Sequence, residues 1–360
     1  MKTMETYSYL VPDASYKLIE LSPELLEVIK LQKSGISIKA SSHDSLDLVL
    51  TTDTKTFQLR EKKHSNTQLL IKEKNEKIIG FSSFGSALEL NKTIGRINYS
   101  NVPIYNGNLS KFKERLLKNQ SISISVDELI LQSPISRGEF DNHWIELNGS
   151  EIENIAVILS SNFITEILTL LINIIIANDL NFNNLNLYKI FQIIEIEIEN
   201  EIENITIDIL ETVLKKFSKN LQNPFKIDFL KISKWYGIEM LKLYSTNSIE
   251  IDEFCLNWKS SIPSSLTSIE SISIDLNMLK GYYYKITGST NKIKYLNKHS
   301  LPMDNTSRFK ALFQLNKYWD LDEFEPFIID LNEKNLKITS FIMKYARVQK
   351  QGNKTIISSR

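Results

Sequence analysis

The sequence has little that would support secretion, membrane insertion or an overall attraction to nucleic acid. Its 360 residues contain one cysteine, Cys255, which excludes an internal disulfide and is typical of a reducing compartment. Basic and acidic residues both number 43, so any basic surface has to be regional. The first ten residues lack the basic-then-apolar pattern of a secretory signal. The most apolar run, residues 163–177, is shorter than the ~20 residues of a membrane span and carries Glu166 and Asn173, which predicts a buried helix and no membrane partner.

The sequence also lacks the motifs of the common catalytic sites. Residues 80–86 carry glycines at the spacing of a phosphate-binding loop, but Ser86 stands where the lysine belongs and the surrounding pattern is that of a strand. There is no Gly-x-Ser-x-Gly motif and no carboxylate pair with a matching acid or base. Four separated histidines and a single cysteine give no zinc-ligand spacing: His43, His64, His143 and His299. The sequence therefore predicts a protein that is not an enzyme and that has no cofactor and no metal.

The last sixty residues predict three short helices and a terminal hairpin. Asp304 is placed to cap the first helix, and Pro326 fits only the first turn of the second. A third helix is predicted from Thr339, with Ile338 before it as a hydrophobic staple. Two short strands, residues 347–350 and 354–357, flank a Gly-Asn dipeptide suited to a tight turn. This order is that of a winged helix, in which the third helix lies in a DNA groove.

Acidic and basic residues are separated along this segment. Acidic residues are concentrated in the predicted second helix, and no acidic residue follows residue 334. Lys344 and Arg347, three residues apart, are predicted to share one side of the third helix. The basic residues predicted to contact DNA phosphates here are Lys344, Arg347, Lys350, Lys354 and Arg360. The alternative is a solvated surface on a winged helix that binds only protein.

A looser version of the same pattern precedes this segment. Helices are predicted at residues 228–244, 252–260 and 275–280, followed by a wing made basic by Lys285, Lys292 and Lys294. The aromatic clusters at residues 282–284 and 235–236 could stack on bases or belong to the core. Residues 111–222 are read as a third, less clearly defined winged helix. Helix starts are predicted at Ser125, Ser161 and Thr206, while the glutamate-rich residues 195–203 have a period of two in a region that is otherwise helical, so their conformation stays open.

The N-terminal part changes from a helical period to a period of two. Ser22 and Pro23 predict the start of a short helix, and several short alternating runs follow between residues 36 and 81. Turn residues, such as those at 64–66, separate the runs. The predicted fold class is α+β: a small antiparallel β-barrel at residues 1–110 with half-open edges, then tandem winged-helix domains, three in number, at 111–222, 223–299 and 300–360.

Several sequence blocks resemble the defective-in-sister-chromatid-cohesion proteins, the Dcc subunits of a Ctf-type alternative replication factor C clamp loader. The blocks occur in family order along the chain: YKLIEL from residue 16, TKTFQLR from 54, NVPIYNG from 101, KWYGI from 234, SLPMD from 300 and SFIMKYAR from 340. Together they run nearly the whole length of the chain.

The resemblance implies a non-catalytic subunit acting in DNA replication and sister chromatid cohesion in the nucleus. Its N-terminal strands would form a composite barrel with the small Ctf subunit and the C-terminal tail of the large one. The barrel and first winged helix would meet the catalytic half of DNA polymerase ε. The C-terminal winged helices would contact DNA, single- or double-stranded and without strong sequence preference, and help to load the sliding clamp PCNA.

One departure from the family pattern keeps a rival account open. Family wings are more densely basic than residues 347–357, where uncharged residues interrupt the run. The rival is a free-standing winged-helix regulator that reads DNA sequence, which would need base-edge donors on the third helix.

Overall fold

The computed structural model describes residues 4–5, 17–31, 35–40, 48–74, 77–119, 123–197, 204–244, 246–267, 272–286, 291–302, 304–332, 336–352 and 354–360. Helices and strands are mixed, and the chain divides into two compact units. Unit 1 is Met1–Ile104 with Lys113–Ile158, and unit 2 is Tyr105–Phe112 with Leu159–Arg360. The four-domain division made from the sequence stays a prediction.

The first part of the chain is rich in strands. Its elements are β1 (Met4–Glu5), β2 (Ile19–Glu20), α1 (Pro23–Leu31), β3 (Ser37–Ala40), β4 (Leu48–Thr51), β5 (Thr56–Lys74), β6 (Lys77–Thr93), β7 (Ile104–Tyr105), α2 (Leu109–Asn119), α3 (Val126–Gln132), α4 (Arg137–Glu146), β8 (Gly149–Ile152) and β9 (Ile155–Leu159).

The remainder is mostly helical. Its elements are α5 (Ser161–Ala177), α6 (Leu187–Glu197), α7 (Ile207–Phe217), α8 (Phe229–Lys242), β10 (Ile249–Glu250), α9 (Ile251–Ser261), α10 (Ser264–Thr267), β11 (Tyr283–Lys285), β12 (Lys292–Tyr295), α11 (Asn305–Leu315), β13 (Tyr318–Asp320), α12 (Leu321–Phe324), α13 (Ile338–Ile342), β14 (Arg347–Gln351) and β15 (Lys354–Ser358). Short 3-10 helices lie at Leu276–Leu279, Lys298–Ser300, Glu325–Phe327 and Ile329–Leu331.

The N-terminal sheet is open, so the described residues show the predicted open edges but do not by themselves form the predicted barrel. Its strands run in the order β1-β6-β5-β4-β3, with β2 also paired to β6. Closing a barrel requires the two edge strands to meet. Here β5 and β6 continue past the short β3 and β4, with β1 and β2 on the far side of β6, and no described strand joins β3 to that side. The antiparallel pairing of β3, β4, β5 and β6 is as predicted.

The turn predicted at residues 64–66 is also wrong, because β5 runs through it. The register of β5 against β6 shifts between Lys63 and Gln68. The residues between these two positions form a bulge-like irregularity, and the strand continues on both sides of it. The polar residues that looked like a turn in the sequence lie in this irregular stretch.

Within unit 1 the sheet is tied to the helices that follow it. The Lys39 Nζ donates hydrogen bonds to the carbonyl oxygens of Ile130 and Ile135 at 2.7 and 2.8 Å. Burial lowers the pKa of this amine. The Thr56 hydroxyl donates to Glu139 Oε2 at 2.5 Å and accepts from the Ser136 amide at 2.9 Å. These contacts fix one end of the sheet on α3 and α4.

After Leu159, unit 2 continues with the three helices α5, α6 and α7, and two of their starts were predicted from the sequence. Ser160 caps α5, one residue before the predicted cap, and Thr206 caps α7 as predicted. The glutamate-rich stretch whose conformation was left open continues α6 as far as Glu197, and residues 198–203 lie outside the described ones. Among the described residues, no helix is both long and apolar enough to cross a membrane.

Two successive modules of unit 2 repeat one element order. Each has a helix, a short strand, a second helix, a short third helix and a hairpin, and their sheets run β10-β12-β11 and β13-β15-β14. Asp228 and Asp304 cap the first helix of each module. The sheet β7-β9-β8 has the same strand order. The number of winged-helix domains stays a prediction.

Candidate nucleic-acid interface at the C-terminal module

The C-terminal module, residues 304–360, is built around a compact aromatic core. Asp304 accepts a hydrogen bond from the Ser307 amide at 2.8 Å, and this bond lowers the pKa of its carboxyl group. The core side chains are almost fully buried: Phe309, Leu312, Trp319, Phe324, Phe327, Ile328, Phe341, Ile342, Ala346 and Ile357. The prediction for the first helix is confirmed. The second helix is shorter than predicted, because α12 ends at Phe324 and Pro326 lies in the first turn of the 3-10 helix that follows.

A buried arginine holds the first helix of this module in place. Arg308 is 0 % exposed and contacts both carboxylate oxygens of Asp330 at 2.7 and 2.8 Å. The same guanidinium donates to the carbonyls of Pro302 and Phe327. A buried charge is tolerated only when it is paired and hydrogen-bonded in this way. Arg308 is therefore structural and is not available for DNA.

The terminal hairpin forms where it was predicted, with Gly352 at φ 60° in its turn. Val348 lies opposite Ile357, and both pack towards the core. Since side chains alternate along a strand, Arg347 and Gln349 lie on the outward face. The pairing of β13 with β15 adds Tyr318 and Asp320 to that face.

The prediction that Lys344 and Arg347 share one side of the third helix is wrong. Helix α13 ends at Ile342, Lys344 lies in the turn that follows, and Arg347 is the first residue of β14. The reason is packing: Ala346 is buried, and Val348 has to face the core opposite Ile357, which requires a strand here.

Three of the predicted phosphate contacts nevertheless meet at the base of the hairpin. Arg347 lies opposite Ser358, two residues before Arg360. The Arg360 guanidinium donates to the carbonyl of Met343, the residue before Lys344. Lys344, Arg347 and Arg360, here called the basal cluster, are all exposed. No described residue forms an ion pair with Lys344 or Arg347.

The two remaining predicted contacts are at the tip of the hairpin and differ from each other. Lys354 is on the outward face, where its Nζ lies 3.6 Å from the Asp320 carboxylate. Lys350 lies on the opposite face, in register with Thr355. Asn353 lies outside the described residues. The five predicted cations therefore do not form one surface.

The three lysines predicted on the wing of the preceding module have other partners or neighbours. Lys285 Nζ lies 2.7 Å from Glu323, and Lys292 Nζ lies 3.8 Å from Glu250. Lys294 is in register with Tyr284, which belongs to the core of the C-terminal module. The Asn316 side chain also donates to the Lys285 carbonyl at 2.6 Å. This wing packs on the C-terminal module, and two of its lysines are already ion-paired.

Most of the aromatic side chains considered for base stacking belong to the core. Trp235, Tyr236, Tyr283 and Tyr284 are buried, and burial raises the pKa of Tyr283 to about 12. Tyr318, which is not among the aromatic residues considered from the sequence, is 60 % exposed. The exposure of Tyr318 could have been inferred from the sequence Tyr-Trp-Asp: in a strand, neighbouring side chains face opposite sides, so a buried Trp319 leaves Tyr318 on the outward face. Residues 80–86 lie within β6, so no phosphate-binding loop forms there.

Comparison with known proteins gives the family. The family model for "Sister chromatid cohesion protein Dcc1" matches residues 16–328. The chain belongs to this family. It is 36% identical to the sister chromatid cohesion protein DCC1 of Saccharomyces cerevisiae, over 97% of each chain. It is 28% identical to a probable DCC1 of Dictyostelium discoideum, over 98% of this chain and 96% of that one. The human DCC1 is 24% identical, over 95% and 88%. The family is one of sister chromatid cohesion proteins, as the sequence blocks indicated.

Proposed function

We propose that the chain is a non-catalytic subunit of an alternative replication factor C clamp loader that acts in the nucleus in DNA replication and sister chromatid cohesion. The observation that carries the proposal is the family match, which extends through nearly the whole chain. In this account the chain joins the small Ctf subunit and the C-terminal tail of the large one. ATP hydrolysis resides in the other subunits.

The free edge of β5 supports binding of a partner at the N-terminal sheet. Strand β4 pairs only with Thr56–Leu59 of β5. Beyond that, within the described residues, β5 has β6 as its only strand partner. Every second amide of this stretch therefore points away from β6, and such an edge accepts a further strand. Leu69 and Ile71, on one face of it, are 44 % and 53 % exposed.

The small core of the sheet supports the same proposal. Among the described residues of α1 and the sheet, the buried apolar side chains are Leu25, Val49, Leu50, Phe57, Phe84 and Ala87. Large apolar side chains around them stay exposed: Leu26, Ile29, Leu31, Ile36, Ile38 and Leu48. A sheet that buries so little gains little from the hydrophobic effect by itself. Strands supplied by two partners would cover this surface and complete a composite barrel.

Reconstitution tests the assembly. The full chain is co-expressed with the small Ctf subunit and the C-terminal tail of the large subunit, and the product is sized by light scattering. We expect one species with a 1:1:1 composition. Recovery of the chain as a monomer that binds neither partner would contradict the proposal.

We further propose that the tandem modules are winged helices and that the basal cluster contacts DNA phosphates. Its support is an exposed group of cations at the base of the hairpin, where no described residue forms an ion pair with Lys344 or Arg347. Such contacts release counterions and are insensitive to sequence. Lys350 would add a contact from the other face. Lys285, Lys292 and Lys354 would have to leave ion pairs to bind, so we assign them a smaller part.

Charge removal tests this contact. We expect K344A/R347A to weaken binding equally on unrelated DNA sequences and to lower the slope of log affinity against log salt by about 2. The matched control is K189A/K219A, which removes two exposed lysines from the helical part of unit 2. A loss confined to one DNA sequence would favour the free-standing regulator. The five-residue α13, with Lys344 beyond its end, gives direct base readout little support.

The proposal also includes the catalytic half of DNA polymerase ε as a partner and PCNA loading as the outcome. Its support is the family alone. The measurement is clamp loading on a primed template by the complete loader, with and without this chain. We expect loading in the presence of the polymerase to fall when the chain is left out, and equal loading would contradict this part.

A further inference from the structure

The outward face of the C-terminal sheet carries one large aromatic side chain with no packing partner of its own kind. Tyr318 is 60 % exposed, while its neighbour Trp319 is 2 % exposed. Tyr318 makes no ring stacking or edge contact with the described aromatic residues, whereas Trp319 contacts three rings of the core. The core therefore does not need this ring, and the sheet displays it to solvent.

The strand register places this ring beside the basal cluster. Tyr318 pairs with Ser358 on β15, and Ser358 pairs with Arg347 on β14. All three side chains lie in one row on the outward face. Because neighbouring strands are ~4.8 Å apart, the backbones of Tyr318 and Arg347 are about 10 Å apart. Arg360 and Lys344 lie at the same end of the sheet, through the hydrogen bond from Arg360 to the Met343 carbonyl.

This combination suits a single strand better than a duplex. In a single strand the base faces are free, and a base can stack on an aromatic ring while its phosphates meet cations. In a duplex the bases are stacked on one another, so only the cations can act. The small side chain of Ser358, between the ring and Arg347, leaves the row open for a flat base.

We propose that Tyr318 is a base-stacking residue and that the row Tyr318–Ser358–Arg347 binds single-stranded DNA. The inference rests on the DNA contact put forward under Proposed function and adds the form of DNA that this surface prefers. Arg347 holds a phosphate on one side of the row, and Tyr318 holds the face of an adjacent base on the other.

The test uses the full chain with two fluorescent probes, an oligothymidine of about twenty nucleotides and a blunt duplex of equal length. We expect Y318A to weaken binding of the single strand about 5- to 150-fold, which corresponds to the loss of one stacked base. Binding of the duplex should change less than about twofold. Y318F keeps the ring and should bind both probes like the parent chain. R347A should weaken both probes alike.

Tyr188 provides the matched control, since it is 62 % exposed on α6. Y188A should leave both affinities unchanged. Equal binding of the single strand by Y318A and the parent chain would overturn the stacking proposal while leaving the phosphate contact intact. If the parent chain binds neither probe, the DNA contact itself fails, and the stacking proposal falls with it. A comparable loss on both probes in Y318A would also overturn it, because stacking cannot explain a loss on the duplex.

Discussion

The C-terminal module and the N-terminal sheet differ in how much apolar surface each buries. The C-terminal module encloses a dense set of aromatic rings and a fully buried arginine within fewer than sixty residues. The N-terminal sheet has longer strands, yet among its described residues and those of α1 six apolar side chains are buried: Leu25, Val49, Leu50, Phe57, Phe84 and Ala87. Because burial of apolar surface is the main stabilising contribution, the described core stabilises the first region more than the second.

The contrast assigns different roles to the two regions. A module with its own core can display cations and an exposed aromatic ring without loss of stability. A sheet with a small core, a free strand edge and exposed apolar side chains gains stability when other chains cover it. The four predictions below test this contrast, from the largest expected effect to the smallest.

The largest effect is expected at the buried arginine. R308A leaves the Asp330 carboxylate and the carbonyl oxygens of Pro302 and Phe327 without their donor. We expect a loss of roughly 3–5 kcal/mol in the free energy of unfolding of this region. Urea denaturation, with hydrogen exchange of α11, measures it. R137A is the control, because Arg137 and its partner Asp127 are 73% and 76% exposed. Equal effects of the two variants would contradict a self-contained C-terminal core.

The second prediction concerns the apolar face of the β5 edge. L69K/I71K places charges where the account puts the partner subunits. We expect affinity for them to fall by about 2 kcal/mol or more, roughly 30-fold, as at the centre of an interface. The free chain should fold as before, because Leu69 and Ile71 are exposed. The control L243K/L256K changes two exposed leucines of unit 2. Light scattering of the reconstituted complex reports the result, and an intact complex with L69K/I71K would remove β5 from the interface.

The third prediction tests how the sheet is held within unit 1. K39A removes the donor to the Ile130 and Ile135 carbonyls. We expect a loss of about 1–2 kcal/mol in the free energy of unfolding, since these acceptors lose a charged donor. K63A removes an exposed lysine from β5 and serves as the control. Thermal denaturation compares the two. If K39A and K63A unfold at the same temperature, the hydrogen bonds of Lys39 contribute nothing to stability.

The smallest effect is expected at the helix cap of the C-terminal module. The pKa of Asp304 is lowered from 3.8 by hydrogen bonds from the Ser307 and Thr306 amides. Its contribution to stability is therefore fully present above pH 3.8 and is lost as the pH falls through the lowered pKa of the folded state. Hydrogen exchange of α11 in the parent chain and in D304N measures it. D304N keeps a cap that does not titrate at this position, so α11 should lose less protection in acid than in the parent chain. Identical pH profiles would contradict the assignment.

The sequence was sufficient where a local rule decides the structure. The caps at Asp304, Thr206 and Ser125, and the turn at Gly352, each depend on residues within a few positions of one another. The family could also be recognised, because its sequence blocks occur along the whole chain.

The sequence was insufficient where distant residues decide. The polar run at residues 64–66 resembles a turn until β6 is known to pair on both sides of it. Residues 341–346 keep a helical period although the helix ends at Ile342, because Val348 needs Ile357 as its cross-strand neighbour. The pairing of Lys285 with Glu323 and the outward position of Tyr318 also depend on tertiary contacts.

Hydrogen exchange along β5 tests the central contrast most directly. The full chain is measured alone and then with the small Ctf subunit and the C-terminal tail of the large one. The account predicts that alternate amides between Arg60 and Lys74 exchange fast in the free chain and become protected on binding, while α11 is slow in both states. Slow exchange along β5 in the free chain, unchanged by the partners, would contradict it and would show that the N-terminal sheet is complete without them.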